Sequence, residues 1–253
     1  MKYFFLVLTA VLPIILFSCN GPVDPDKQPG KPDDTETPGD NGGDNNGGDN
    51  NGGKEKTDEE LGIAAIDLGL SVEWCDRNIN AVSPDDSGSY FAWGETIGKT
   101  EFVWNNYKWG NPSAGGLNKY NNNATLGKND GLVRLESGDD AAYSKFGGKW
   151  RMPTADEWLE LKQKCSWQWT KQGNCEGFKV TSEDGNTSIF LPASGGFIGS
   201  SLQDAGVHGF YWTSDIVKSD PTSAYTFWIR KGAVVPETFP RFYGMAVRPV
   251  KAK

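Results

Sequence analysis

Residues 151–165 read RMPTADEWLELKQKC. Thr154 and Glu157, three residues apart behind Pro153, make a capping box, and Asp156 adds an acid to the first turn. At 100° per residue, Ala155, Trp158, Leu159, Leu161 and Cys165 fall within an arc of about 160°. Asp156, Glu157, Glu160, Gln163 and Lys164 occupy the other side, and only Lys162 intrudes on the apolar face. The stretch therefore predicts one well-defined amphipathic helix lying on a core. Upstream, Asp139 to Phe146 predicts a shorter helix that stops at Gly147, with Asp139 placed to cap it.

Downstream the period changes from helix to strand. SWQWT and GFKVTS flank a QGNCE turn and predict a hairpin, in which Cys165 and Cys175 do not lie opposite each other. SIFLPA, YWTS, AYTFWI and GMAVRPV each predict a short strand. Upstream, IDLGLSVEW and SYFAWGE predict strands on either side of a turn at Ser83–Ser89, where Gly88 supplies positive φ. Residues 98–130 are rich in Asn, Gly, Trp and Tyr without periodicity, which predicts a long ordered loop. Two helices among many short strands and long loops predict an α+β domain.

These segments, together with SVEWCDRNINAVSPDDSGSYFAWGET, LESGDDAAYSKFGGKWRMPTADEW and YGMAVRPV, resemble the Fibrobacter succinogenes major paralogous domain family. The resemblance runs from Ile66 to Val250. It implies a divergent C-type lectin-like fold, shared with formylglycine-generating enzymes, in an exported Bacteroidetes protein. WRMPTADEW is similar to a stretch of that wider group, and VRPV to its last strand. The known sites of the group do not carry over. No Cys follows Cys175, so the oxidase thiol pair is missing, and the Glu-Pro-Asn, Gln-Pro-Asp and Trp-Asn-Asp strings of sugar-binding lectins are absent.

The front of the chain is different in kind. Lys2 precedes an apolar run, Tyr3 to Phe17, of signal-peptide length and shorter than a membrane span. Leu16-Phe17-Ser18-Cys19 resembles a bacterial lipobox, which implies a signal peptide at residues 1–18 and a lipidated Cys19 anchoring the chain to the cell outer membrane. Residues 19–60 are dominated by Pro, Gly, Asn and Asp, with GGDNN repeated every five residues. Such a segment buries too little apolar surface to order and predicts a disordered tether. A flexible chain of that length spans roughly 35 Å. The domain is expected at 61–253.

Charge sharpens the division. The whole chain of 253 residues has a formal net charge of −8. Asn20 to Glu60 holds twelve acids and four Lys, whereas Leu61 onward is close to neutral. No basic face is available, which argues against nucleic acid as a partner. A single His, His208, excludes sites built from several histidines.

Few residues carry candidate chemistry. Ser194, Ser200 and Ser201 lack a G-x-S-x-G setting. The acid pairs Asp85/Asp86, Asp139/Asp140 and Glu183/Asp184 read as capping or solvated groups. Asp184 and Asn186 are weak calcium candidates. Cys75, Cys165 and Cys175 are odd in number and read first as buried small side chains; of the possible disulfides, Cys75–Cys165 is as admissible as Cys165–Cys175. Trp104, Tyr107, Trp109 and Tyr120, set among Asn and Gly, suit stacking on a ligand, or else form a small core ordering their loop. Trp74, Trp93, Trp150, Trp158, Trp212 and Trp228 are expected in the core. No catalytic residue and no cofactor is expected. The sequence thus points to a non-catalytic binding or adhesion module for a glycan or protein ligand. An enzyme acting on envelope polysaccharide and a structural subunit of a surface assembly are the alternatives.

Overall fold

The computed structural model describes residues 56–113 and 115–253. Cys19, the signal segment and most of the tether lie outside the described residues. The described chain is mostly β-strand, gathered in several small sheets, with two α-helices: α1, Ala141–Phe146, and α2, Ala155–Lys164. This composition is compatible with an α+β class. Among the described residues no helix is long and apolar enough to cross a membrane.

α2 forms as its local sequence dictates. Thr154 Oγ1 accepts from the Glu157 amide at 3.2 Å, and Glu157 Oε2 accepts from the Thr154 amide at 2.8 Å. Arg151 grips both oxygens of Glu157 from the preceding strand. Trp158 and Leu161 are buried. The Trp158 ring stacks on Phe227 at 5.1 Å and meets Trp74 edge-on at 4.8 Å.

α1 is capped by Asp140 rather than Asp139. Asp140 Oδ1 accepts from the amides of Ala142 and Tyr143, and its Oδ2 accepts from Met152 at 2.8 Å, tying α1 to the strand Trp150–Arg151. Asp139 turns the other way, into the long loop.

The largest sheet orders Ala233–Pro240, Asp220–Arg230, His208–Val217, Met245–Ala246 and Tyr90–Phe91. Strand pleating sends alternate side chains to opposite faces. Tyr211, Phe227, Ile229 and Ala246 join a core with α2 and Trp74. Trp212, Ala224 and Met245 join a second core with Trp93, Tyr120 and α1. The strand Ala233–Pro240 was not among the expected strands; it holds Pro236 and Pro240, which its place at the sheet edge tolerates. The hairpin expected around Gly173 is present as Ser166–Gln172 and Cys175–Thr181, with Ser188–Pro192 as third strand.

A four-stranded sheet joins distant parts of the chain. Val250–Ala252 lies between Val72–Cys75 and Trp150–Arg151, with Ala65–Ile66 outermost. Asp58 also docks here. Its carboxylate accepts from Trp150 Nε1 at 2.9 Å and pairs with Lys251 at 2.6 Å. The packed domain therefore begins ahead of the expected boundary at Leu61. Gly88 has φ +68°, and a Cβ there would stand 2.3 Å from the Ile79 carbonyl, so only glycine fits the turn.

Candidate functional site

The four loop aromatics do not form a stacking platform. Tyr107 and Tyr120 are buried, and Trp104 and Trp109 are half-buried. Tyr107 and Tyr120, together with Trp93, enclose Arg241, itself fully buried. Arg241 Nε donates to the Tyr107 hydroxyl at 2.8 Å, Nη1 to the carbonyls of Tyr120 and Pro221, and Nη2 to that of Lys119. Its guanidinium lies 4.7 Å from the Trp93 ring. The Tyr107 hydroxyl donates onward to the Trp93 carbonyl, and Trp109 Nε1 to that of Gly94, each at 2.8 Å. A loop this long orders only with its own interior, and these rings supply it. Tyr107 and Tyr120 have no face left for a ligand.

Asp139 completes the arrangement. It accepts from Lys119 at 2.7 Å, from the Tyr120 hydroxyl at 2.7 Å and from Lys108 at 3.0 Å. Burial works to raise the Asp139 pKa, but these three hydrogen bonds prevail and hold it below the usual carboxylate value. Burial pushes the Tyr120 hydroxyl up to about 12.

The other candidates also prove structural. Asp184 Oδ1 accepts from the Ser182 hydroxyl at 2.6 Å and the Asn186 amide at 3.0 Å, while Oδ2 accepts from Asn186 Nδ2. Both carboxylate oxygens thus close the turn before Ser188–Pro192, with Asn186 donating to them through its backbone and its side chain. Among the described residues no cluster of three or more His, Cys, Asp or Glu is placed to hold a metal. Ser194 is buried, its hydroxyl donating to the Pro192 carbonyl at 3.3 Å and to the Tyr211 hydroxyl at 3.5 Å. Asp86 accepts from the amides of Val82 and Gly88. Cys75 and Cys165 are free thiols, so the Cys75–Cys165 bond is not formed. Burial pushes the Cys75 thiol up to about 12, which suits a packing group and not a nucleophile.

Among the clefts of the described residues, two combine an aromatic ring with charged side chains, and neither is visible as a sequence motif. The first, about 560 Å³, lies beside the N-terminus of α2. Phe227 and Leu159 form its apolar floor, and Tyr225, Arg134, Asp156 and Asp215 stand around it. A register shift between Trp212 and Ile216 turns Asp215 outward. Its Oδ1 then receives Arg134 Nε at 2.6 Å and its Oδ2 the Ala155 amide at 2.9 Å. Tyr225 keeps 36% of its surface exposed.

The second cleft, about 420 Å³, is lined by Trp169, Glu176, Val207, His208, Arg230 and Lys231. Beside it stands Trp228, which was expected in the core and is only half-buried. Trp228 lies parallel to Phe210 at 6.3 Å, has His208 edge-on at 5.2 Å, and carries the Arg230 guanidinium 4.6 Å from its ring. The second core covers this sheet face only in part, so the pleat leaves Trp228 at its margin.

A scan against protein-family models gave no match, and searches of curated proteins and of solved structures gave none.

Proposed function

We propose that the chain is a bacterial envelope lipoprotein, acylated at Cys19 and carried on an acidic tether. Its domain, read as C-type lectin-like and of the Fibrobacter succinogenes major paralogous type, binds a glycan without transforming it. The pairing of Val72–Cys75 with Val250–Ala252, which brings both ends of the domain together, supports the fold reading. The observation that carries the binding reading is the cleft beside α2. An exposed Tyr225 ring above an apolar floor offers a face to the C–H side of a sugar. Arg134 and the acids around it supply planar donors and acceptors for hydroxyl groups. Asp215 is already engaged by Arg134 and the α2 amide, an arrangement suited to orienting a ligand rather than to moving a proton.

The test is a glycan array probed with the full chain, alongside a protein array. Selective, saturable glycan binding, weakened at least about tenfold by Tyr225→Ala, is the expected result. Binding to proteins alone, or binding of neutral glycans that is indifferent to Tyr225, refutes it.

A further inference from the structure

Of the six arginines in the chain, Arg230 is used differently. Arg77, Arg134 and Arg151 are paired with carboxylates. Arg241 and Arg248 donate to buried carbonyls. The Arg230 side chain makes no hydrogen bond or ion pair among the described residues. It is nevertheless held, because its guanidinium lies on the Trp228 ring. Held over the ring and without a hydrogen-bond partner among the described residues, its N–H donors are open to an acceptor.

Its surroundings specify that acceptor. Lys231, the next residue, lines the same cleft and likewise has no charged partner among the described residues. Trp169 and Val207, the latter 57% exposed, add apolar surface to the same lining. Glu176 is the one carboxylate lining the cleft, while Asp204 sits outside it against His208, 3.1 Å from Nδ1. The cleft thus combines two unpaired cations with an indole and an aliphatic surface. A bare phosphate would leave the apolar surface unmatched, and a neutral sugar would leave the cations unmatched.

We propose that the cleft at Arg230 binds an acidic sugar, with its carboxylate on the Arg230 fork and Lys231 and its ring against Trp169. This goes beyond the binding reading given above and uses a separate place. Tyr225 and Phe227 project from one face of the strand Asp220–Arg230, and Trp228 and Arg230 from the other.

The experiment is calorimetric titration of the full chain, in detergent, with trigalacturonate, its fully methyl-esterified form and inorganic phosphate. Trigalacturonate binds, the ester binds at least about tenfold more weakly, and phosphate is weaker than trigalacturonate. Arg230→Gln lowers trigalacturonate affinity at least about tenfold, Arg230→Lys lowers it less because the fork is lost but the charge stays, and Lys231→Gln lowers it independently. Tyr225→Ala leaves it unchanged, which separates this site from the cleft beside α2. An unchanged melting temperature in the exposed Arg230 variants shows that folding is intact. The proposal falls if trigalacturonate does not bind, if Arg230→Gln binds like the parent, if the ester binds equally well, or if phosphate matches trigalacturonate.

Discussion

Replacing Arg241 by Met tests whether the aromatic loop is an interior or a binding surface. The variant fills most of the same volume but cannot donate. The carbonyls of Lys119, Tyr120 and Pro221 then lose their donor in a place closed to water. Each orphaned buried carbonyl costs about 1–3 kcal/mol. Relief from holding a guanidinium away from solvent offsets part of this. The net loss is about 2–4 kcal/mol. At about 2–4 °C per kcal/mol for a domain of this size, the melting temperature falls by about 5–15 °C. Scanning calorimetry measures that shift. Hydrogen exchange at residues 119–121 locates it, since their protection should collapse before that of α2. A loss under about 1 kcal/mol with unchanged exchange there would refute the reasoning, and would mean that the loop is ordered by something other than this guanidinium.

Two further outcomes follow from the charge arrangement and the front segment. Asp139 has a folded-state pKa below its unfolded value, so its contribution is present above about pH 4 and is lost as pH falls through the folded pKa. Asp139→Asn should therefore flatten the acid limb of a stability-versus-pH curve measured by urea denaturation; an identical limb in both proteins would contradict the assignment. Cys19→Ser should abolish incorporation of labelled fatty acid in cells, and persistent labelling would remove the lipoprotein reading.

What could be read from the sequence was what local rules determine. α2 came out whole because its cap, its charges and its apolar stripe all lie within fifteen residues. The hairpin around Gly173 was legible for the same reason. The cap of α1 was misplaced by one residue, since Asp139 and Asp140 are chemically identical and only the reach of Lys108 and Lys119 separates their roles. The role of the loop aromatics depended on Arg241, more than a hundred residues away from Tyr107 and Tyr120. Composition showed rings among amides but not the guanidinium that enters between them. Trp228 looked like its buried neighbours because strand periodicity cannot say how far a core extends along a face. The cleft beside α2 draws Arg134, Asp215 and Tyr225 from separate segments, brought together by a register shift that no motif announces.

The four-stranded sheet carries a consequence for how the molecule matures. Its inner strand, residues 250–252, is flanked by segments some 100 and 180 positions earlier. A nascent chain lacking those three residues leaves Val72–Cys75 and Trp150–Arg151 with exposed backbone groups along the vacant lane. This sheet therefore closes only once residues 250–252 have been made, and until then Val72–Cys75 and Trp150–Arg151 lack the strand that joins them.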